Sequence, residues 1–343
     1  MVKIRVAING FGRIGRAFLK SSFGRKAKPE LEFIAINDLG DLEQLAHFLK
    51  YDSVYGRWDK KVEIDDGSLV VEGKKIKFFQ EKELHKLPWH DLNIDIVLES
   101  TGAFESFEKA KVHLDAGAKR VVISAPAKDE DNDWGKTVLL GANNEDLKTC
   151  TISSNGSCTT NSAHPVMAIL SETLGIKKAF LVSSHGYTAT QNLIDGPTKS
   201  SDMRRGRAAG VNIVPSFTGA TIAVERAVKS IRGRFGGAAF RVPVISGSIS
   251  AITALVEKPT TIEEVNGIFR KAENEERWKG IMKTTSEEIV STDIIGEPHG
   301  AVVDLSLTSV VDSDLVAVFS WYDNEAGYTE TLVRHVLEVA RTF

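Results

Sequence analysis

Apolar positions in the first part of the chain occur in short runs that are separated by segments of helical periodicity. Branched and apolar residues predict strands at Val2–Ile8, Leu31–Ile36, Ile94–Glu99 and Arg120–Ser124. Helical spacing predicts helices at Arg16–Lys20, Leu42–Lys50 and Phe107–Ala116. Because strands that alternate with helices form parallel sheets, this part predicts a doubly wound parallel sheet.

A hairpin region interrupts this alternation. Three short apolar runs, 60–64, 69–71 and 75–79, are separated by Asp66-Gly67 and Glu72-Gly73. Glycine-containing pairs between strands are typical of tight hairpin turns. We therefore expect an antiparallel extension of the sheet here.

The pattern changes after residue 158, where strand-like runs follow one another without regular helices between them. These runs are Ala179–Ser184, Ala238–Val244, Gly247–Glu257, Ala301–Leu307 and Leu315–Trp321. Fewer crossover helices favour a mainly antiparallel sheet and a second domain. An amphipathic stripe over Tyr328–Ala340 predicts a final helix.

Composition limits the class of protein without naming it. The 343 residues suffice for two domains, and the net charge of −3 gives no sign of a basic nucleic-acid face. Two cysteines cannot form a disulfide framework, and no apolar run approaches the ~20 residues that span a membrane. We expect a cytoplasmic enzyme or binding protein without a nucleic-acid or membrane partner, and we assign no metal ligands.

The first strand is followed by the glycine pattern Gly10, Gly12 and Gly15 and then by a helix. This arrangement permits a tight turn, a close approach to a pyrophosphate and close packing of helix on strand. Asp38 ends the second strand, where a carboxylate would hold the ribose hydroxyls of NAD and repel the extra phosphate of NADP. The alternative for Asp38 is a plain turn residue.

Cys158 lies between a strand-like run, Thr149–Ile152, and a helix-like run, Val166–Leu174. A thiol at a helix start faces the positive end of the macrodipole and unpaired N–H groups, and both favour the nucleophilic thiolate. The pattern therefore indicates covalent chemistry. A buried structural cysteine is the alternative.

These motifs together resemble one family. The segments 10–15, 157–161 and 321–325, with Asp38, match in order the motifs of phosphorylating glyceraldehyde-3-phosphate dehydrogenases. The resemblance implies an α/β fold: a Rossmann-type doubly wound parallel sheet plus a mainly antiparallel α+β catalytic domain. It implies an NAD-binding domain at 1–157, a catalytic domain at 158–323 with an S-loop at about 187–212, and a helix at 324–343 that returns to the NAD-binding domain.

The resemblance also implies residue roles. Cys158 would be the nucleophile and His185 the second catalytic residue. Phosphate groups of the substrates would be held by Ser157, Thr159, Thr188, Arg205, Thr218, Gly219 and Arg241. Arg204 and Arg207 remain alternatives to Arg205, and a solvated basic loop is the other alternative for this segment.

NAD would be held by Gly10, Gly12, Arg13, Ile14, Gly15, Asp38, Lys82, Ser124 and Asn324. Pro197 in the S-loop is typical of NAD-preferring members, and the S-loop implies a homotetramer. The chain departs from the family pattern at Gly186, at Ser162 and at Ala326, which replaces the usual tryptophan. We expect Gly186 to make the backbone more permissive without removing a catalytic group, and we expect loss of the indole at Ala326 to loosen packing around the final helix.

The implied activity is NAD-dependent oxidation of glyceraldehyde 3-phosphate with inorganic phosphate, through a cysteine thioester. Two alternatives stay open. One is erythrose-4-phosphate dehydrogenase, which shares the fold, the cysteine and the histidine. The other is a non-catalytic dinucleotide-binding protein on the same scaffold.

Overall fold

The computed structural model describes residues 3–27 and 29–343 and divides the chain into two compact units. The first unit contains the chain up to Val138, Asn144–Gly156 and Leu332–Phe343. The second contains Leu139–Asn143 and Ser157–Thr331. Val2 of the first predicted strand lies outside the described residues.

The helices and strands are numbered here in chain order. The helices are α1 (Arg13–Ser22), α2 (Leu42–Lys50), α3 (Phe107–Ala110), α4 (Val112–Asp115), α5 (Cys158–Thr173), α6 (Ala220–Ala227), α7 (Ile262–Glu273) and α8 (Ala326–Ala340). Strands before residue 157 are β1 (Lys3–Asn9), β2 (Glu30–Asn37), β3 (Tyr51–Asp52), β4 (Gly56–Arg57), β5 (Val62–Asp65), β6 (Ser68–Val71), β7 (Lys74–Phe79), β8 (Ile96–Glu99), β9 (Arg120–Ile123), β10 (Gly135–Thr137) and β11 (Ile152–Ser154). Later strands are β12 (Ile176–Gly186), β13 (Val214–Ser216), β14 (Phe235–Val242), β15 (Ser248–Val256), β16 (Met282–Thr285), β17 (Ala301–Val311) and β18 (Leu315–Tyr322).

The first unit contains the predicted parallel sheet. Within the described residues the sheet has nine strands in the order β10-β11-β9-β8-β1-β2-β7-β6-β5. All pairs from β10 to β7 are parallel, and the β7-β6-β5 end is antiparallel, as the hairpin pattern predicts. The order changes direction around β1, so that the loops after β1, β2 and β8 emerge side by side. This is where ligands bind in open α/β sheets.

The core of this unit explains why its strands show nearly continuous apolar runs. Ile8, Ile36 and Val97 are fully buried, as is Trp89 in the connection before β8. Parallel strands covered on both faces have no solvent side, so their sequences do not alternate.

The second unit contains the mainly antiparallel sheet. The part of the chain that the structure describes forms seven strands here, in the order β13-β14-β12-β15-β18-β17-β16, and the pairs β12/β14 and β16/β17 are parallel. Helix α5 contacts β15, β17 and β18 and buries Val166, Met167 and Leu170. The parallel register of β12 and β14 places His185 opposite Arg241.

The expectation that this half lacks helices between its strands is wrong. Helix α6 lies between β13 and β14, and α7 lies between β15 and β16. Helix α7 begins with a capping box, because Thr261 accepts from the backbone N–H of Glu264 and Glu264 accepts from that of Thr261. In the sequence, the spacing Thr261-x-x-Glu264 before an apolar stripe indicates a helix start at this position.

Two predicted boundaries near the candidate sites also change. The single helix predicted at 107–116 consists of α3 and α4, which are interrupted at Lys111. The strand predicted at 149–152 begins only at Ile152, because the N–H groups of Thr149 and Cys150 donate back to the Asp146 carbonyl and close a turn.

Candidate active site

The candidate nucleophile, Cys158, is the first residue of helix α5. Ser157 precedes it as the N-cap, and its hydroxyl accepts from the N–H of Thr160 at 3.1 Å. The Thr160 hydroxyl in turn accepts from the N–H of Ser157, which completes a capping box. Cys158 is therefore fixed at the positive end of a 16-residue helix, and this helix begins eight residues before the predicted apolar run at Val166.

Cys158 and His185 meet inside the second unit. The sulfur of Cys158 lies 3.2 Å from Nε2 of His185, which stands near the end of β12. His185 is 4% exposed, whereas the Cys158 side chain is partly accessible. The pair has the spacing that proton transfer between a nucleophile and its base requires.

The other nitrogen of His185 has two competing partners. Nδ1 lies 2.6 Å from the Gly186 carbonyl and 2.5 Å from Nη1 of Arg241. The carbonyl only accepts and the guanidinium only donates, so each partner selects a different tautomer of the ring. With Nδ1 protonated, Nε2 accepts a proton from the site; with Arg241 donating to Nδ1, Nε2–H donates into it.

Burial and the Arg241 charge oppose each other in their effect on the pKa of Cys158 but act together on the pKa of His185. Burial raises the pKa of the Cys158 thiol, while the Arg241 guanidinium and the N–H and hydroxyl of Thr159 lower it. Burial, reinforced by Arg241, lowers the pKa of His185 to about 3. Each group alone therefore resists ionisation, and ionising them together places two opposite charges 3.2 Å apart. This geometry leads us to expect that activation of the thiol depends on His185.

The motif reading missed Tyr322 beneath this pair. Its hydroxyl lies 2.9 Å from the Thr159 hydroxyl and 2.8 Å from the Ser183 hydroxyl, and its ring meets His185 edge-on with centroids 6.0 Å apart. Burial raises the pKa of Tyr322 to about 12, so it stays neutral. Tyr322 lies within the motif 321–325, but its contacts are with residues of α5 and β12, which sequence spacing does not reveal.

The structure distinguishes the three arginines of the S-loop. Nε of Arg204 lies 2.8 Å from Asp202, and Nε of Arg207 lies 2.8 Å from Asp195. Arg205 instead donates to the hydroxyls of Thr190 at 2.7 Å and Ser216 at 2.6 Å. Among the described residues no carboxylate pairs with Arg205, so its charge remains available for an anion.

Arg241 provides a second cation near His185. Besides Nδ1 of His185, it reaches the Gly186 carbonyl at 3.4 Å, and its Nε is buried without a partner in the described part of the chain. Arg205 is close enough to lower the pKa of both Arg241 and His185. Neither guanidinium group is paired with a carboxylate among the described residues, so the two together are suited to binding an oxyanion.

The remaining predicted phosphate residues have varied surroundings. The Thr188 hydroxyl lies 3.0 Å from that of Thr190, and the Thr218 hydroxyl accepts from the N–H of Ala220. Gly219 is the N-cap of α6, and a Cβ built there meets no atom. The Thr159 hydroxyl lies 2.9 Å from that of Tyr322, and both this hydroxyl and the backbone N–H of Thr159 also contact Cys158.

All the predicted dinucleotide residues except Asn324 lie in the first unit, at the loops after β1, β2, β7 and β9. Gly10 has a φ of 94°, and a Cβ there would stand 2.6 Å from the backbone of Ser100 and Thr101. A Cβ on Gly15 would collide with the Gly10 carbonyl, whereas one on Gly12 would meet open space. Helix α1 begins after Gly12 without a side-chain cap. These features fit a pyrophosphate at the helix N-terminus.

Asp38 is fixed by two backbone donors. Its carboxylate accepts from the N–H of Phe11 at 2.6 Å and from the N–H of Gly40 at 2.7 Å. A carboxylate oxygen accepts more than one hydrogen bond, so these contacts leave capacity for ribose hydroxyls. The side chain therefore links the glycine turn to the end of β2.

The other predicted cofactor residues differ in their positions and contacts. The Arg13 guanidinium pairs with Asp52 at 3.1 Å, and Ser124 donates its N–H to the Glu99 carbonyl. Ile14 lies in the first turn of α1, and Lys82 is exposed after β7. Asn324 belongs to the second unit, where its side-chain oxygen accepts from the Ser248 hydroxyl at 2.9 Å.

Comparison with known proteins agrees with this geometry. Residues 4–107 match the model of the glyceraldehyde 3-phosphate dehydrogenase NAD binding domain, and residues 157–324 match that of its C-terminal domain. The chain is 50% identical over 330 residues to the glyceraldehyde-3-phosphate dehydrogenase of Thermotoga maritima, across 96% of this chain and 97% of that protein. The chain belongs to the glyceraldehyde-3-phosphate dehydrogenase family. It is also 46% identical over 334 residues to the enzyme of that name from Clostridium pasteurianum, across 96% of both chains.

The three departures from the family pattern have local structural consequences. Gly186 does not have a positive φ, and a Cβ there would lie 3.0 Å from the Val244 carbonyl, so the glycine permits a close approach rather than a loose backbone. Ser162 donates to Ser250 and Ser320 in the interior. Ala326 starts α8, and its N–H donates to Asp323 at 3.0 Å, so the helix start is held without the indole.

The dependence of the thiol on His185 is testable in a His185→Asn variant. Because burial raises the pKa of Cys158, we expect alkylation by iodoacetamide at about pH 6.5 to slow about tenfold or more. The rates of wild type and variant should converge at alkaline pH. A Cys158→Ala chain measures the background from Cys150, whose pKa burial raises to about 11. Equal rates at about pH 6.5 would show that the thiol is activated without His185.

Proposed function

We propose that this protein oxidises D-glyceraldehyde 3-phosphate with NAD and inorganic phosphate to 1,3-bisphosphoglycerate, through a thioester on Cys158. The observation that carries the proposal is the 3.2 Å contact between Cys158 and His185 beside two arginines, in a chain of this family. The relatives reported above all carry the name of this enzyme, which does not favour erythrose 4-phosphate or a non-catalytic role.

The chain's own groups perform the covalent steps. The Cys158 sulfur attacks the aldehyde carbon, and the thiol proton passes through His185 to the new hydroxyl. In the oxidation His185 Nε2 takes the hydroxyl proton back as the carbonyl forms, and the acyl group stays on sulfur as a thioester. A phosphate oxygen then attacks this thioester, and Cys158 leaves as the thiolate. His185 takes each proton at Nε2 of the neutral ring and returns it from the imidazolium.

The anionic groups would be held by cations and hydroxyls in the same unit. Arg205 and Arg241 supply the charge, and Thr188, Thr218 and the N–H of Gly219 supply further donors. Ser157 would help to bind a phosphate, because it lies at the N-terminus of α5. In the family pattern these residues are divided between the phosphate of the substrate and the inorganic phosphate. This pattern supports the assignment.

NAD would be held in the first unit by the glycine turn, Arg13 and Ile14 at the start of α1, Asp38, Lys82 and Ser124. Bound NAD supplies the hydride acceptor for the oxidation. Asn324 would hold the carboxamide of the nicotinamide. The match of residues 4–107 to an NAD binding domain supports this cofactor.

We extend the proposal to domains and assembly. Residues 1–157 would form the NAD-binding domain, 158–323 the catalytic domain, and 324–343 a helix belonging with the first. A homotetramer is supported by exposed apolar side chains of the S-loop, where Leu193, Met203 and Val211 are at least 80% exposed. A cytoplasmic location would keep the free thiols of Cys150 and Cys158 reduced. Within the described residues, no helix is long and apolar enough to cross a membrane.

The function is tested by following NADH formation with reduced protein, NAD and glyceraldehyde 3-phosphate, with and without inorganic phosphate. We expect sustained turnover with phosphate and a single burst without it, because the acyl group then has no acceptor. Phosphate-independent turnover would contradict phosphorolysis. Faster turnover of erythrose 4-phosphate would contradict the substrate assignment.

The assignment of Arg205 is tested against its neighbour. We expect Arg205→Gln to lower kcat/KM about 100-fold, because a charge-assisted contact to phosphate is lost. Arg204→Gln is the matched control, because Arg204 is exposed and paired with Asp202. It should change kcat/KM less than about twofold. Similar losses in both variants would refute the distinction drawn from their contacts.

A further inference from the structure

A chain of buried polar side chains crosses the parallel sheet below the predicted nucleotide loops. It runs from Asn37 through Asn9, Glu99 and His113 to Trp89, and each of these residues is at most 3% exposed. Register places Asn9 opposite both Asn37 and Glu99, at the carboxyl ends of β2, β1 and β8. No motif used above includes Glu99, His113 or Trp89.

The backbone fixes the orientation of the two amides. The Asn37 oxygen accepts from the N–H of Glu81 at 2.8 Å, and its nitrogen donates to the Glu81 carbonyl at 3.0 Å. The Asn37 nitrogen also donates to the Asn9 oxygen at 2.8 Å. The Asn9 nitrogen must therefore face Glu99, and it donates to Oε2 at 2.6 Å.

The far end of the chain fixes the ring of His113. The Trp89 indole, which can only donate, lies 3.1 Å from Nδ1 of His113. The proton of a neutral ring is therefore on Nε2, which lies 3.0 Å from Oε2 of Glu99. Oε1 of Glu99 accepts from the N–H of Thr101 at 2.8 Å and from its hydroxyl at 2.5 Å. The two side-chain oxygens of Glu99 thus accept four hydrogen bonds.

Each strand end in this chain leads directly into a loop of the nucleotide site. Gly10 follows Asn9, Asp38 follows Asn37, and Ser100 follows Glu99. The loops are joined above the chain, because the Ser100 hydroxyl donates to the Gly10 carbonyl at 2.7 Å and the N–H of Phe11 donates to Asp38. A displacement of Glu99 therefore moves the backbone that contacts Gly10.

We propose that this buried chain, centred on Glu99 and His113, is a positioning device that holds the three loops in their NAD-binding geometry before NAD arrives. The inference rests on the proposed cofactor role of the first unit. Glu99 and His113 act through Thr101, Ser100 and Gly10, and they are positioning residues. Preorganisation of this kind lowers the ordering cost of binding.

Calorimetric titration of NAD into the full-length chain and its variants tests the proposal. In Glu99→Gln an amide NH₂ replaces one carboxylate oxygen and on either side faces an N–H that can only donate, that of Asn9 or of Thr101. We therefore expect the Kd for NAD to rise about tenfold or more. His113→Phe should weaken NAD binding similarly, and His113→Gln, which keeps a donor and an acceptor, should restore binding to within about threefold of wild type. Iodoacetamide alkylation of Cys158 should be unchanged in all three.

Ser153→Ala is the matched control, because it removes a buried 2.7 Å contact to His335 in the same unit, away from these loops. It should leave the Kd for NAD unchanged. Folded Glu99→Gln protein with the wild-type Kd would overturn the proposal, and so would an equal loss in the control. A wild-type chain that fails to bind NAD would instead refute the cofactor assignment.

Hydrogen exchange of the wild-type chain provides a second test that needs no variant. Segments 9–12, 37–40 and 99–103 should already be protected without NAD and gain little when NAD is added. Rapid exchange that is suppressed only by NAD would overturn the proposal, whether or not the variants fold.

Discussion

The parallel pairing of β12 with β14 is the constraint on which the catalytic site depends. It places His185 beside Arg241, and the start of α5 brings the Cys158 sulfur within 3.2 Å of the same ring. Burial penalises charge on both the thiol and the imidazole, so neither group is activated alone. In the proposed mechanism the reactive state belongs to the pair, because Arg241 and Thr159 lower the pKa of Cys158 and would stabilise negative charge on its sulfur.

The contacts of other polar groups in the second unit determine which of these groups can still bind a ligand. Arg204 and Arg207 are neutralised by nearby aspartates, whereas Arg205 is held by hydroxyls and keeps its charge. Tyr322 joins Thr159 to Ser183 beneath the reactive pair. In the first unit the Glu99 and His113 contacts play a comparable part beneath the glycine turn. In both units buried hydrogen bonds thus fix the groups that we propose to face a ligand.

Much of this organisation can be predicted from the sequence pattern. The features that cannot be predicted depend on contacts that the pattern does not encode. The buried strands and the glycine turn are local signals, and both sheets are confirmed. Helix α7 was missed although Thr261 and Glu264 give a capping signal, because its neighbours suggested only strands. The sequence does not show which of Arg204, Arg205 and Arg207 is available for a phosphate, since loop geometry determines which of them pairs with an aspartate. The contacts of Tyr322 and Glu99 join residues far apart in the chain, which spacing does not show.

The most direct test of the central chemistry is mass spectrometry of the reduced protein after brief mixing with NAD and glyceraldehyde 3-phosphate in phosphate-free buffer, followed by acid quenching and peptide mapping. We predict a 3-phosphoglyceroyl adduct on the peptide containing Cys158, which disappears when inorganic phosphate is added before the quench. An adduct on Cys150 instead, or NADH formed without any acylated cysteine, would contradict a thioester built on the Cys158–His185 pair.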